Sequence, residues 1–297
     1  MGISHTKRQE HLRIIQAYLV NMPSLSTTVT KVLSVCNSPA SSANDLNKVV
    51  SLDPVLTGNV LKLINSAYYS VRDQVTSLTQ AIIMLGLNTI RNLALSMAVL
   101  GAAGNKTANR NNDMDKFWTH CICTGVTAKA IALEIGVPKS ECEEYFVAGL
   151  LHDLGKLPLI HCFPNEYKKI TAFADQKKTP LIVVEKAIFD ITHEETGKLI
   201  AEKWKLQGTI HQSICFHHHP QEATEDSQKI VFSIALADIF GDRVLDKQTH
   251  DAMPDNPIVI NALEKLNLTW PTLLNLEEHI LQEIENARVF MQVAQKR

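Results

Sequence analysis

The sequence has no cysteine pair at C-x-x-C spacing, no Lys/Arg block beyond two or three residues, and no apolar run of bilayer length. Each absence removes a class. The six cysteines (Cys36, Cys121, Cys123, Cys142, Cys162, Cys215) lack any framework spacing and read as reduced, mostly apolar packers of a cytosolic protein. Without basic blocks, and with a net charge of −2, no nucleic-acid footprint is expected. The most apolar stretch, ALSMAVLGAA at 94–103, is far short of the ~20 residues of a membrane span. No apolar segment follows a basic start, so no secretory signal and no membrane partner are expected. Gly2 and Thr6 fit the short, common myristoylation pattern M-G-x-x-x-[ST], but an ordinary frayed start is the expectation there.

Strand-like alternation is also scarce. Helical periodicity dominates, and Gly and Pro sit mainly between periodic segments, so the fold class is all-α. Ser42 or Asn44 caps a short helix that stops before Pro54, and Pro54 opens the next, with Val55, Leu56, Val60, Leu61 and Ile64 on one stripe. Helices are expected at 77–85 and 88–100, the second capped by Asn88. Residues 101–114, GAAGNKTANRNNDM, have little to bury and read as a linker or mobile loop. Further helices follow at 117–136 and at 139–153, the latter with a capping-box-like Ser140-x-x-Glu143. Others are expected at 180–189, 193–205, 209–217 and 228–240. From 254 the chain turns polar and proline-bearing, and a last helix starts at Thr269 and Pro271. Its apolar side (Leu273, Leu276, Ile280, Leu281, Ile284) is expected to dock on the body.

Against this background the histidines stand out. His120 follows Phe117-Trp118; His152 and Asp153 end the apolar run FVAGLL; His193 opens THEETGKLIAEKW; His217, His218 and His219 interrupt QSICFHHHP; Asp238 lies inside SIALADIF. A lone core histidine is usually hydrogen-bonded rather than metal-bound, and a buried aspartate can cap a helix. Together they fit convergence on shared cations, which compensate the desolvation of carboxylate and imidazole. Mixed His/Asp ligation suits Mn, Fe, Co, Ni or Zn, and no thiolate set for a structural zinc is present. Adjacent helical residues point ~100° apart, so His152 can hold one ion while Asp153 bridges two.

The order H…HD…H…HH…D resembles that of the HD superfamily of metal-dependent phosphohydrolases, and the extra histidines resemble its HD-GYP branch. The resemblance implies two divalent transition-metal ions held by His120, His152, Asp153, His193, His217, His218 and Asp238. The HHH triplet leaves its third member ambiguous. Lys156, in GLLHDLGK, matches the family lysine, with Asp153 and Lys156 as the catalytic pair and Lys156 on substrate phosphate. The segment after the histidines, HPQEATEDS, lacks the Gly-Tyr-Pro element, so cyclic di-GMP is not implied as substrate. Lys116 stands where a third-metal glutamate would be, so no third ion is expected.

Upstream, DP-x-L-T, NSAYY and AI-x-x-LG-x-x-x-IRNL resemble the HDOD family, the HD-related output domains of bacterial signalling proteins, over about residues 20–240. This implies an HD/phosphodiesterase-like helical bundle with an N-terminal HDOD subdomain. The division expected is 1–105 for the N-terminal part, 115–242 for the metal-site core and 254–297 for a helical extension. It also implies a cytoplasmic signal-transduction role. Two functions follow: hydrolysis of a phosphoester or (cyclic) nucleotide, or a catalytically silent adaptor that binds a signalling protein or a nucleotide. For the adaptor, NSAYY and IRNL would dock the partner, although plain packing of Tyr68 and Tyr69 with a solvated Arg91 is the simpler reading of those residues. Glu194, in a helix's first turn, is expected to complement the helix dipole, with a supporting or proton-accepting role at the ligands as the alternative.

Overall fold

The computed structural model describes residues 2–36, 41–104, 112–245 and 253–294, and every regular element among them is helical. The N-terminal block comprises α1 (Gly2–Asn21), α2 (Thr27–Cys36), α3 (Ala43–Val50), α4 (Pro54–Ile64), α5 (Leu78–Leu85) and α6 (Leu87–Gly104). Then come α7 (Asn112–Glu134), α8 (Lys139–Leu151), α9 (Lys156–Cys162), α10 (Pro164–Lys177), α11 (Leu181–Phe189), α12 (His193–Trp204), α13 (Gly208–Phe216) and α14 (Glu225–Leu245). The chain closes with α15 (Pro257–Leu266), α16 (Trp270–Ala287) and α17 (Val289–Ala294). Many starts have a local cause. Ser42 caps α3 in a reciprocal box with Asp45, Asp53 caps α4 ahead of Pro54, Thr192 boxes α12 with Glu195, and Thr269 caps α16.

Helix α7 is the central rod, against which α8, α14 and α16 pack, while α6 leans on α8. On α16, Leu273, Ile280 and Ile284 are buried and Leu276 is partly so, whereas Leu281 is 44% exposed and lies off the docked side. No single helix among the described residues is long and apolar enough to cross a membrane; α5 and α6 reach that length only as a pair bent by 118°.

Polar groups tie the N-terminal block to the rod. Lys129 of α7 donates to Tyr68 Oη at 3.0 Å and pairs with Glu143 of α8 at 2.8 Å, while Tyr69 donates to the other Glu143 oxygen at 2.5 Å. Glu143 is buried, and burial alone would disfavour the Lys129 charge; Glu143 and Tyr68 reverse this and raise its pKa. Lys129→Met is therefore expected to cost about 3 kcal/mol in urea unfolding, because it strands a buried carboxylate. Adding Glu143→Gln should restore most of the loss; an undiminished loss in the double variant would mean that packing, not charge, is at stake.

The structure departs from the sequence expectations at several points. The start is not frayed: α1 is a 20-residue helix, tied to the α11–α12 corner by Arg8, which pairs with Glu195, and by His11 on the Phe189 carbonyl. The side chains of residues 1–6, and with them the Gly2/Thr6 pattern, lie outside those described. Asn88 is no cap, because α6 starts at Leu87 straight after Gly86, whose φ of +83° ends α5. The Ser140–Glu143 box does not form; Glu143 turns inward to its ion pair, and Pro138 precedes α8 without a side-chain cap. Arg91 is not solvated but lies 3.7 Å from Glu144. Of the proposed linker 101–114, α6 takes the part to Gly104 and α7 the part from Asn112; 105–111 fall outside the described residues. The proline-bearing stretch after 254 contains α15, capped by Asn256.

Candidate metal centre

Two helices end at the centre. His152 is the residue after α8 and His217 the residue after α13, and each folds its Nδ1 back onto a carbonyl of its own last turn. His152 donates to Gly149 O at 2.6 Å and His217 to Ser213 O at 2.9 Å. A carbonyl only accepts, so Nδ1 carries the proton in both rings and Nε2 faces inward. Helix C-termini also favour positive charge in front of them.

The other ligand-type residues are held by carboxylates. His193, first residue of α12, places Nδ1 2.6 Å from Glu185 of α11, which also accepts the His193 backbone N–H at 2.8 Å and the Tyr167 hydroxyl at 2.7 Å. His120 of α7 places Nδ1 2.9 Å from Asp242 of α14. Glu194 accepts the His218 backbone N–H at 2.9 Å and lies 3.0 Å from His219 Nδ1. It thus fastens the histidine turn, the supporting role given as the alternative, while standing in the first turn of α12 as the dipole reading has it. His219, 48% exposed and turned toward Glu194, is the member of the triplet that stays outside.

Asp153 sits between two sets of side chains. Its Oδ2 is 3.3 Å from His120 Nε2 and 3.3 Å from His152 Nε2, while Asp238 Oδ1 lies 3.0 and 3.4 Å from the same two nitrogens. Its Oδ1 is 3.5 Å from His193 Nε2 and 3.7 Å from His217 Nε2. His193 Nε2 is in turn 3.2 Å from His217 Nε2 and 3.0 Å from His218 Nε2. Lys156 pairs with Asp153 Oδ2. All the ligand residues expected from the sequence therefore meet at one place, with Lys156 beside them.

The donor set fits divalent cations. Apart from the ion pair of Lys156 with Asp153 Oδ2, the two Asp153 oxygens and Nε2 of His120 and of His152 are buried without a hydrogen-bond partner. Charge of opposite sign has to sit among these atoms: protons on His120 and His152 where no metal is bound, a divalent cation where one is. His120, His152, Asp153 and Asp238 could hold one ion, and His193, His217 and His218 with the other Asp153 oxygen a second. Electrostatics differ from residue to residue, and against burial Glu185 raises the His193 pKa. Burial opposes the Asp153 charge, yet His152 and Lys156 hold its carboxyl well below the carboxylate range. His152, despite burial, is raised to about 9 by Asp153. Burial and neighbouring imidazoles push His217 well down and His218 to about 3, which keeps both in the neutral, metal-binding form.

Glycines set how closely these parts approach. A Cβ on Gly155 would stand 1.8 Å from the His193 carbonyl oxygen and 2.4 Å from the Gly197 nitrogen. Thr196 adds a 2.6 Å bond to the Gly155 carbonyl, locking α12 on the turn that carries Asp153.

Sequence reasoning missed Glu185 and Asp242. Both had signals: a lone acid in the apolar run LIVVEKAIF, and an acid one turn beyond Asp238.

The HDOD domain profile matches residues 22–220. An uncharacterized protein of Treponema pallidum (strain Nichols) is 25% identical over 257 residues, covering 85% of this chain and 49% of that protein, so the chain spans about half of its relative's length. Three solved structures share the fold. An HDOD domain protein of unknown function from Geobacter sulfurreducens superposes with a TM-score of 0.71 at 22% identity, over 95% of this chain and 98% of that one. A candidate phosphohydrolase from Shewanella amazonensis SB2B gives 0.69 at 23%, over 95% and 98%. A candidate signal transduction protein from Marinobacter aquaeolei VT8 gives 0.70 at 18%, over 98% and 66%. With the profile matched across two-thirds of its length, the chain belongs to the HDOD domain family.

Proposed function

We propose that this protein is a bacterial cytoplasmic signalling protein that holds two divalent transition-metal ions and hydrolyses a phosphoester or nucleotide. The observation that carries the reading is the facing pair His193 Nε2 and His217 Nε2, 3.2 Å apart, in rings whose Nδ1 protons are already committed to Glu185 and Ser213. Metal-ligating histidines hold their second ring N–H on a carboxylate or a carbonyl in this way.

In this reading residues 115–242 form the reactive core, 1–105 the N-terminal part and 254–297 an extension. Asp153 presents one oxygen to each half of the centre. Bound divalent cations supply Lewis acidity toward phosphoryl oxygen and acidify water. Half-buried His120, His218 and Asp238, beside exposed Asp242, mark the side open to substrate. Lys156 neutralises a phosphoryl oxygen, and Glu194 keeps the histidine turn in register. Protein purified without chelator or imidazole is expected to carry about two transition-metal ions per chain and to turn over bis(p-nitrophenyl) phosphate, with turnover lost in Asp153→Ala.

The adaptor reading is favoured by one feature: α3–α5 expose Leu52 (71%), Val55 and Ile83 (77%) on the N-terminal block. Full metal content without turnover of any phosphoester or nucleotide tried would move the conclusion there.

A further inference from the structure

Lys156 makes its ion pair with one oxygen of Asp153. Its ammonium pairs with Asp153 Oδ2, the oxygen that also faces His120 and His152, while Oδ1 faces His193 and His217. Asp153 is 0% exposed, and a carboxylate so placed is costly without a positive partner. Lys156 is such a partner within the chain itself, beside His152. It lies three residues on, across the Gly155 turn, at the first position of α9. Its side chain is 19% exposed, so a route to solvent is open, and a lysine stem flexes where an arginine fork would hold its geometry.

Resting on the metal-centre reading, we propose that Lys156 is a tethered cation that competes with metal for Asp153 Oδ2, so that the two halves load unequally. An ammonium and a divalent ion repel strongly when both contact one buried oxygen. The first ion therefore enters the half formed by His193, His217 and His218, on the oxygen with which Lys156 does not pair. The second displaces Lys156 toward the mouth, where its charge becomes available to an incoming phosphate. The lysine thus keeps the aspartate compensated during folding and yields its place during loading.

The test is calorimetric titration of chelator-stripped protein with Mn²⁺, together with thermal melts before and after loading. Wild type should bind in two steps of unequal affinity. Lys156→Met should tighten the weaker step by about tenfold or more and lower the melting temperature of the stripped protein, while the loaded protein melts near wild type. Lys156→Arg should keep the weak second step, and Lys198→Met, an exposed lysine on α12, should change neither readout. If Lys156→Met does not fold in chelator, recovery on refolding with Mn²⁺ supports the proposal, and failure to recover overturns it. A Lys156→Met titration that superimposes on a two-ion wild-type curve removes the proposal and leaves the metal centre standing. A wild-type protein that binds no Mn²⁺ takes down both.

Discussion

Asp153→Asn protein, purified without chelator, is expected to retain less than about a tenth of the wild-type metal while remaining helical. The substitution keeps shape and removes charge. It affects both halves at once, because the two Asp153 oxygens face different imidazole sets: Oδ2 toward His120 and His152, Oδ1 toward His193 and His217. Replacement of Asp238 should be milder, since its Oδ1 meets His120 and His152, on one half of the centre. Elemental analysis beside a far-ultraviolet dichroism spectrum separates metal loss from unfolding. Unchanged metal content in a folded Asp153→Asn chain would show that the ions, if any, sit elsewhere, and the hydrolase reading would fall.

The second large effect concerns Gly155. Gly155→Ala puts a methyl 1.8 Å from the His193 carbonyl oxygen and 2.4 Å from the Gly197 nitrogen, both backbone atoms that no rotamer change can clear. Either α12 backs away from the Asp153 turn or the turn distorts. The cost is about 3 kcal/mol or more, read as a drop in melting temperature of roughly 5 °C or more. Because the clash falls on His193 itself, metal in the His193 half should be lost even in molecules that remain folded. Gly58→Ala is the control: nothing lies within 4 Å of the added carbon in the interior of α4, so it should be neutral or stabilising by up to ~1 kcal/mol. Equal melting temperatures for Gly155→Ala and wild type would contradict the close helix crossing.

Much of the centre was legible because its residues break local rules. Imidazoles and acids inside apolar helical runs have no local explanation, and seven of them in order point to one place. Gly197, four residues after His193, has its cause in the fold, since it is where α12 presses on Gly155. What stayed hidden depends on distant partners. Glu143 satisfies capping-box spacing in sequence, yet Lys129 and Tyr69 from other segments win its carboxylate. Arg91 was read as solvated because Glu144 lies 53 positions on and meets it only across the α6–α8 contact. Helix α1 shows almost no amphipathic stripe, and buried Ile15 and Leu19 acquire their environment from the rest of the fold.

The four imidazole anchors are of two kinds. His152 and His217 lean on main-chain carbonyls, Gly149 and Ser213, whereas His120 and His193 lean on the side chains of Asp242 and Glu185. No point mutation can delete a carbonyl, but one base change can neutralise an acid. Evolutionary drift that silences such a centre while sparing the fold would therefore begin at Asp242 and Glu185, and descendants would keep well-oriented His152 and His217 long after their capacity for chemistry had gone.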